Sequence, residues 1–373
     1  MRPSWIEIDL DAIEHNAREI AAHIAPAALC AVVKADAYGH GDIPVAEAAI
    51  AGGATYLAVA LVEEGVRLRE ADIDVPILVL SEPTIDEVEP IVRHGLTPTA
   101  YRLSFVDELA ESAERATTVP YPVHLKLDTG MHRVGVGSPE ALDIALRIDA
   151  DPRLVLQGVY THFPSADSDR DFTQRQSDEL DAFIAVLATA GIRPRLLHAA
   201  NTAAAFEMPD TRYDLCRVGL GLYGLRPAPD YGADIDLRPA MRVVSHVGYL
   251  QRLPAGSRPS YGRRRALGSP STVATVPIGY ADGVPRSLTD TATVLIHGKR
   301  YPYAGTVTMD MVMVDLGDDT VEVGDQVVLL GAQEGDEISV DEWAEMLGTI
   351  TWEVVCHFGP RLVRRYIGGS HAG

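Results

Sequence analysis

The sequence predicts an α/β protein in which an N-terminal (β/α)8 barrel of the TIM type precedes a mostly β C-terminal domain. Eight short apolar segments alternate with helical patterns over about 200 residues, which is the rhythm of such a barrel. A stretch rich in proline, glycine and aspartate at 226–232 interrupts this rhythm. The segments beyond it alternate between apolar and polar residues, as half-buried strands do. We therefore place the barrel at residues 10–235 and the β-rich domain at residues 236–373.

The apolar segments of the first part have the length and composition of strands that are buried on both faces of a parallel sheet. The main alternative to a closed barrel is an open, doubly wound sheet. No Gly-x-Gly-x-x-Gly fingerprint follows the first segment to favour that alternative. The predicted strands are 29–34, 56–60, 77–80, 96–99, 123–127, 155–161, 195–198 and 215–218, and the helices between them include 43–50, 62–70, 104–116, 139–148 and 173–190.

The two ends of the chain have a different character. Residues 5–10 alternate and predict a short strand that joins the C-terminal domain, and residues 11–20 follow with helical spacing and an acidic first turn. One segment of the second domain, 340–347, has a clear helical pattern. The predicted strands of this domain are 241–253, 272–278, 292–297, 311–316 and 325–330.

Composition excludes several classes of function. The net charge of -21 argues against a nucleic-acid partner and against binding to an anionic membrane surface. Three cysteines (Cys30, Cys216 and Cys356) without a Cys-x-x-Cys pair support neither a disulfide framework nor a structural zinc site, and we expect no metal. The first residues lack the apolar region of a signal peptide, and no apolar run is long enough to span a bilayer. We therefore expect a cytoplasmic protein.

Lys34 is the first candidate for chemistry because it closes the first predicted strand, just before the polar turn at 35–41. The carboxyl ends of the strands hold the active sites of α/β barrels. A lysine that is partly withdrawn from water there can lose its proton and form a Schiff base with a carbonyl cofactor or substrate. The alternative is a lysine at the end of a strand that merely reaches solvent.

Further polar residues end the later strands. A histidine at the end of a strand, such as His162 or His198, often has only a hydrogen-bonded structural role. A cation within an apolar strand is harder to explain in that way, because an unpaired buried charge costs several kcal/mol. Lys126 and Arg217 therefore require anionic partners or a neutralising change. The candidates after strands five to eight are Lys126, Asp128, Arg133, His162, His198, Asn201, Thr202 and Arg217.

The loop after the last predicted strand could bind phosphate. Gly219 and Leu220 offer backbone N–H groups, and Gly221 permits close approach. Thr202 could add a hydroxyl from the preceding loop, and barrel phosphate sites form in the loops after strands seven and eight. A phosphate pocket beside a lysine on strand one is what pyridoxal phosphate requires. The alternative is a glycine turn without a function.

The sequence resembles the alanine racemase family of pyridoxal-phosphate enzymes, which have an N-terminal (β/α)8 barrel and a C-terminal β domain. The resemblance covers nearly the whole chain, and its motifs occur in the same order in both domains. They are the segments 31–41, 127–133, 160–163, 198–202, 217–219, 260–262, 279–283 and 309–310.

The resemblance implies the interconversion of L- and D-alanine, with D-alanine supplied to peptidoglycan synthesis. Lys34 would bind the cofactor covalently and serve as the base for the D-isomer. Tyr261 would serve as the base for the L-isomer, from the second subunit of a homodimer whose subunits share their active sites. The substrate would be a small amino acid, and neither nucleic acid nor a membrane would be a partner.

The other site residues follow from the same resemblance. Arg217 would face the pyridine nitrogen of the cofactor, supported by His162. Lys126 would correspond to a lysine that is often carbamylated, and the resulting anion would orient Arg133. The phosphate would be bound by Tyr38, Thr202, Gly219 and Leu220. The cofactor site would also include His198 and Asn201, and the substrate would be bound by Arg133, Tyr280, Met309 and Asp310.

One position departs from the family pattern. Pro360 stands where the family usually has a tyrosine that reaches the phosphate and lines the entry corridor, although Asp167, Tyr280 and Arg286 match other corridor positions. A racemase of another amino acid, such as serine, or of several amino acids therefore remains open. A decarboxylase on the same fold is disfavoured by Arg217, and a catalytically silent relative that binds the cofactor or an inhibitor is disfavoured by the presence of both Lys34 and Tyr261.

Overall fold

The computed structural model describes residues 3–369, which form two compact units. The barrel unit contains Ala12–Ala37 and Asp42–Arg238. The C-terminal unit contains the residues from Pro239 onward, the residues up to Asp11, and the short segment Tyr38–Gly41. Among the described residues, no helix is both long and apolar enough to cross a membrane.

The barrel unit is built on eight parallel strands, which confirms the predicted fold class. The first strand pairs with both the second and the eighth. Backbone hydrogen bonds from Asp214 N to Leu197 O and from Arg217 N to Ala200 O, both 3.0 Å, connect the seventh and eighth strands and complete the circle. In order, the strands are Ala28–Val32, Ala54–Val59, Ile77–Val79, Thr97–Ala100, Tyr121–Lys126, Leu154–Tyr160, Leu196–His198 and Leu215–Val218.

Helices with one apolar face surround these strands. In Leu103–Arg115, for example, the side chains of Phe105, Val106, Leu109 and Ala113 recur at helical spacing and are fully buried. The longest helix, Arg170–Thr189, is capped by the Asp169 carboxylate, which accepts a hydrogen bond from Phe172 N. The helices in or entering this unit are Leu10–Ile24, Asp42–Ala51, Val62–Glu70, Val88–Arg93, Leu103–Arg115, Ser138–Asp149, Arg170–Thr189 and Thr202–Glu207.

The C-terminal unit contains a seven-stranded sheet and a three-stranded antiparallel sheet. Trp5–Asp9 lies in the larger sheet, antiparallel to Met241–His246 and parallel to Val363–Ile367. The remaining strands of the larger sheet are Thr293–Ile296, Lys299–Pro302, Gln326–Gln333 and Asp336–Ile338, and the smaller sheet consists of Tyr249–Leu253, Ser271–Val276 and Val312–Gly317. Two helices, Val340–Leu347 and Thr351–Cys356, complete the unit.

Two local predictions were wrong, and several short elements of the C-terminal unit were not predicted. Residues 241–253 are not one strand, because the chain leaves the larger sheet at His246 and enters the smaller one at Tyr249. Helix Thr351–Cys356 was not predicted, since its six residues are too few to show a period. The first barrel strand ends at Val32, so Lys34 does not close the strand but begins the turn after it.

Candidate active site

Lys34 opens a turn of left-handed helix. Ala35, Asp36, Ala37 and Tyr38 have φ between 50° and 54°, a region that costs non-glycine residues roughly 1–2 kcal/mol each. The buried carboxylate of Glu64 holds the start of this turn by accepting a hydrogen bond from Ala35 N at 2.7 Å, and its other oxygen accepts from the backbone N–H groups of residues 60 and 61. The backbone after the lysine is therefore fixed in a strained conformation, which is typical of functional sites.

Tyr38 ends this turn and belongs to the C-terminal unit. Its side chain is almost fully buried, and burial raises the pKa of its hydroxyl far above the usual value. The glycines beside it permit close packing: a Cβ at Gly39 would lie 2.7 Å from Val355 O, and one at Gly41 would overlap the Tyr366 hydroxyl. Tyr38 is thus held protonated, as a donor, in a tightly packed segment.

A layer of polar side chains lies around the ring of Tyr160, at the carboxyl end of the sixth barrel strand. The His198 ring stacks on it with the centroids 4.5 Å apart, while Lys126 Nζ and the Arg217 guanidinium lie 5.3 and 5.0 Å from its centroid. The Tyr160 hydroxyl is held by Thr99 Oγ1 at 2.8 Å and donates to Leu80 O at 2.9 Å. The structure therefore brings together cations from strands five and eight and a histidine from strand seven.

Arg217 is buried, and every hydrogen-bond acceptor found for it is neutral. Its guanidinium donates to His198 Nδ1 at 2.7 Å, to Thr161 O at 2.8 Å, to Ala199 O at 3.0 Å and to His162 Nδ1 at 3.3 Å. No carboxylate pairs with it in the described part of the chain. Burial lowers the pKa of Arg217, yet a guanidinium remains protonated in proteins. The site therefore keeps a net positive charge at this point.

The hydrogen bond from Arg217 to His198 determines which ring nitrogen carries the proton in His198 and in His124. Because a guanidinium can only donate, His198 Nδ1 must accept, so the His198 proton is on Nε2. That nitrogen faces His124 Nδ1 at 2.9 Å, which leaves the His124 proton on Nε2, 3.2 Å from Gln157 Oε1. Burial lowers the pKa of His124 to about 4 and that of His198 well below its usual value. Both rings are neutral near pH 7.

Lys126 is close to losing its proton at neutral pH. Burial, followed by the charges of Arg217 and Arg133, lowers its pKa to about 7, while Asp128 opposes this shift. A largely buried amine with such a pKa is a nucleophile, and the shift relieves the cost of burying a cation.

Four basic residues of the barrel unit act electrostatically on His162. Burial lowers its pKa well below the usual value, and four neighbouring cations add to the shift: Arg217, Lys126, Arg133 and Lys34. The charges of these four basic residues therefore act on His162 in the same direction. An excess of positive charge of this size favours an anionic ligand.

The predicted phosphate residues lie close together at the ends of the last two barrel strands. Asn201 caps helix Thr202–Glu207 by accepting a hydrogen bond from Ala204 N at 3.1 Å, and it also donates to Phe163 O. Thr202 Oγ1 lies 3.2 Å from Gly219 N, just before a short 3-10 helix that starts at Leu220. Thr202, Gly219 and Leu220 therefore place a hydroxyl and two backbone amides at one end of the barrel.

In the C-terminal unit, the predicted substrate residues lie on two turns that are bonded to each other. Tyr280 N donates to Thr308 O and Ala281 N donates to Met309 O, both at 3.0 Å. Arg361 joins the turns by pairing with Asp310 at 2.7 Å and with the buried Asp282 at 3.4 Å. The side chains of Tyr280 and Met309 are exposed.

Tyr261 lies on a separate loop of the C-terminal unit, and 72% of its side chain is exposed. The backbone around it is strained, because Ser260 and Arg263, which are not glycines, have positive φ. An exposed aromatic side chain on a strained loop is a candidate for contact with another molecule.

Comparison with protein-family models is decisive. The model described as "Alanine racemase, N-terminal domain" matches residues 8–227, and "Alanine racemase, C-terminal domain" matches residues 240–366. The chain belongs to the alanine racemase family. This confirms the resemblance seen in the sequence.

Individual members of the alanine racemase family match over the full length. The alanine racemase of Symbiobacterium thermophilum is 41% identical over 374 residues, which cover 100% of this chain and 99% of the relative. Alanine racemase 2 of Bacillus subtilis is also 41% identical, over 98% of this chain and 95% of the relative. The crystal structure of alanine racemase from Streptomyces lavendulae, a producer of D-cycloserine, has a TM-score of 0.92 at 35% identity and covers 99% of this chain and 98% of that one. The chain is accordingly an isomerase.

Three site residues of this alanine racemase family member were missed by sequence reasoning. His124 and Gln157 continue the hydrogen-bond chain from Arg217, and Glu64 holds the turn after Lys34. A histidine between apolar residues of a predicted strand was the one available signal for His124. Glu64 gave no signal, because an acidic residue in the first turn of a helix is ordinary.

Proposed function

We propose that this protein is a homodimeric alanine racemase that interconverts L- and D-alanine with pyridoxal 5′-phosphate. Its product would supply D-alanine for peptidoglycan synthesis in the cytoplasm. Membership in the family supports the reaction. The observation that carries the proposal is the buried Arg217 guanidinium, which hydrogen-bonds only neutral acceptors and lies with Lys126 against the ring of Tyr160, in a chain whose net charge is -21.

The residues of the barrel unit fit a phosphorylated aldehyde. Lys34 supplies an amine. Thr202 would donate its hydroxyl and Leu220 its N–H to a phosphate, and the Gly219 N–H, which donates to Thr202 Oγ1 at 3.2 Å in this structure, would turn to the phosphate when it binds. The hydroxyl of Tyr38, kept protonated by burial, would be a further phosphate donor. When bound, the cofactor supplies an electron-withdrawing ring that stabilises negative charge on the substrate carbon. His198 and Asn201 hold the surrounding groups through their hydrogen bonds to Arg217 and Phe163.

Arg217 would determine what kind of chemistry the site favours. Its guanidinium keeps its proton, so at the pyridine nitrogen it would donate a hydrogen bond without transferring that proton. The two neutral histidines behind it supply no negative charge that would change this. Limited delocalisation favours return of a proton to the same carbon, which suits racemisation better than decarboxylation.

The two bases would be Lys34 and the partner subunit's Tyr261. One group removes a proton from one face of the substrate carbon and the other delivers a proton to the opposite face, so the configuration inverts. Lys34 Nζ would exchange the proton of D-alanine, and Tyr261 Oη would exchange that of L-alanine. His162, which bonds to Arg217, would support both Arg217 and the tyrosine.

The substrate carboxylate would be bound by Arg133 and the Met309 N–H, with Tyr280 and Asp310 beside them. The near-neutral pKa of Lys126 supports carbamylation, because carbon dioxide reacts with the unprotonated amine. The product is an anion, which would orient Arg133 and balance Arg217.

A racemisation assay tests the proposal. Purified protein loaded with pyridoxal phosphate is expected to convert L-alanine to an equal mixture of the two isomers. Chiral chromatography measures the conversion over time. Lys34→Ala is expected to lose both this activity and the covalently bound cofactor. An inactive wild-type protein that binds the cofactor would instead favour a silent relative.

A racemase with another or broader substrate range is the second candidate, and Pro360 is the observation that favours it. Proline offers no hydroxyl where the family usually has a tyrosine, so the entry corridor would differ in shape. Turnover on a panel of L-amino acids separates the two. A kcat/KM for L-serine equal to or above that for L-alanine would overturn the preference for alanine.

A further inference from the structure

The backbone at Tyr261 is held by two hydroxyl hydrogen bonds that connect residues 260–261 with residue 306. Ser260 Oγ donates to Thr306 O at 2.6 Å, and Thr306 Oγ1 donates to Tyr261 O at 2.7 Å. The two bonds lie on either side of the peptide that joins Ser260 to Tyr261. We refer to this pair of bonds as the Thr306 clasp, and to residues 258–264 as the Tyr261 loop.

The clasp holds a backbone that is unfavourable by itself. Ser260 has φ 69° and ψ -178°, a region that residues other than glycine seldom adopt. Gly262 and Arg263 follow with φ 71° and 47°. Such a conformation persists only where surrounding contacts determine it. A loop without those contacts would relax and move the tyrosine.

Thr306 is well placed to impose this conformation. Its side chain is only 1% exposed, although the loop that it holds is on the surface. Gly305 lets the two segments approach, since a Cβ there would lie 2.4 Å from Pro259 O. The next residue, Val307, is anchored by its N–H to the buried Thr289 hydroxyl at 3.1 Å. The clasp therefore connects an exposed loop to the interior of the C-terminal unit.

We propose that Thr306 and Ser260 are positioning residues that fix the phenol of Tyr261 for proton transfer with L-alanine. This inference rests on the proposed function, because only the two-base reaction gives Tyr261 a chemical role. Proton transfer depends steeply on geometry, and a shift of about 1 Å can cost roughly a hundredfold in rate. Neither residue contacts the substrate in this proposal.

The test uses the enzyme loaded with pyridoxal phosphate and compares Thr306→Val with Thr306→Ser. Valine keeps the shape of threonine but removes the donor, whereas serine keeps the donor. In deuterated water, Thr306→Val is expected to slow the exchange of the L-alanine α-proton by roughly ten- to a hundredfold, with less than about a threefold effect on D-alanine. Thr306→Ser is expected to restore exchange from L-alanine.

Hydrogen–deuterium exchange of the backbone supplies a readout that does not depend on activity. Mass spectrometry of the peptide that spans the Tyr261 loop is expected to show faster exchange in Thr306→Val and near wild-type exchange in Thr306→Ser. Thr211→Val is the matched control, because Thr211 is also fully buried and also donates its hydroxyl to a backbone carbonyl, that of Met208 at 2.9 Å. It is expected to change neither the exchange of the Tyr261 loop nor the ratio between the two isomers.

The outcomes are distinguishable. Equal losses with both isomers, or an unchanged Tyr261 loop, would overturn the positioning role. If the wild-type protein does not racemise alanine, the proposed function fails, whereas the backbone exchange still tests the clasp. If Thr306→Val does not fold, Ser260→Ala removes the other half of the clasp without altering a buried side chain and is expected to give the same asymmetry.

Discussion

Arg217 illustrates how one side chain determines the protonation of its neighbours. Its guanidinium forces His198 to accept, and His198 in turn forces His124 to accept. Both rings are neutral and buried, so the site contains polar groups that do not compensate the charge of Arg217. A carboxylate at the position of His198 would form an ion pair with the arginine and weaken its field at the ligand. The pair of neutral histidines avoids this.

The buried His124 predicts a loss of stability in acid. Its native pKa is about 4, whereas an unfolded histidine titrates near 6.5. Between these values the unfolded chain binds a proton that the native protein does not bind, so stability present above pH 6.5 is lost as the pH falls toward 4. We expect His124 to account for roughly 2 kcal/mol of this loss by pH 5. Urea unfolding at pH 7 and pH 5 measures it.

The variant His124→Gln has no imidazole to titrate. The difference between its unfolding free energies at pH 7 and pH 5 should therefore be smaller than that of the wild type by roughly 2 kcal/mol. Glutamine retains an amide that can accept from His198, so the change removes the titration with less disturbance of the hydrogen-bond chain. The same pH dependence in wild type and variant would contradict the assignment of a neutral, buried His124.

Removal of the Tyr261 hydroxyl should separate the two half-reactions. Net racemisation must fall equally in both directions, because the equilibrium constant of a racemisation is fixed. Exchange of the α-proton with deuterated water has no such restriction. In Tyr261→Phe we expect exchange from L-alanine to fall by at least about a hundredfold, since a general base is worth roughly 10²–10⁴-fold.

Exchange from D-alanine, which would depend on Lys34, should persist in the same variant. Nuclear magnetic resonance of the two isomers in deuterated water measures both rates. Equal small losses would argue against the assignment of one base to each isomer.

Among the secondary-structure elements, the left-handed turn after Lys34 is the one that an L-amino-acid sequence least favours. Four consecutive residues other than glycine have positive φ, and the turn ends at Gly39 with φ 79°. The Glu64 carboxylate and the tight packing at Gly39 and Gly41 provide contacts that stabilise it. The strain is therefore balanced by neighbouring structure.

Replacing one alanine of this turn with glycine should stabilise the protein. In Ala35→Gly the left-handed conformation no longer has a steric cost, but glycine also makes the unfolded chain more flexible, which costs stability. The net result is expected to be a gain of roughly 0.5–1 kcal/mol in unfolding free energy. Ala185→Gly, at an exposed position inside the right-handed helix Arg170–Thr189, should lose about 1 kcal/mol. Denaturant unfolding measures both changes. A loss of stability in both variants would contradict the strained turn.

Elements with a clear hydrophobic period were predicted accurately, whereas those set by tertiary contacts were not. Helix Val340–Leu347 matches its predicted bounds, and helix Leu103–Arg115 lies within one residue of the predicted 104–116, because their apolar spacing is regular. The break at residues 247–248 could not be seen, since alternation continues across it while the chain changes sheets. The turn at residues 35–38 was equally hidden, because its sequence carries no glycine before Gly39.

Over the whole molecule, the distribution of charge is the property most relevant to ligand binding. The chain has 53 acidic and 32 basic side chains, yet four basic residues of the barrel unit act together on the buried His162. The sequence supplied the candidates Lys34, Lys126, Arg133 and Arg217 because each lies at or near the end of a predicted strand. It could not supply their mutual electrostatic effect or the hydrogen bonds through His124, which depend on how the barrel closes.

The proposed phosphate contacts at Thr202, Gly219 and Leu220 predict that the phosphate provides much of the binding energy of pyridoxal phosphate. The comparison is made in Lys34→Ala, so that no covalent bond contributes. Pyridoxal phosphate should raise the melting temperature of this variant, because a ligand that binds only the native state stabilises it by about 2.7 kcal/mol at a hundredfold excess over Kd. Pyridoxal, which lacks the phosphate, should produce a much smaller shift at the same concentration.

Introducing Thr202→Ala in the same background should reduce the shift with the phosphorylated compound alone, because it removes the predicted hydroxyl ligand. Equal shifts with the two compounds would contradict the proposed phosphate contacts at Thr202, Gly219 and Leu220.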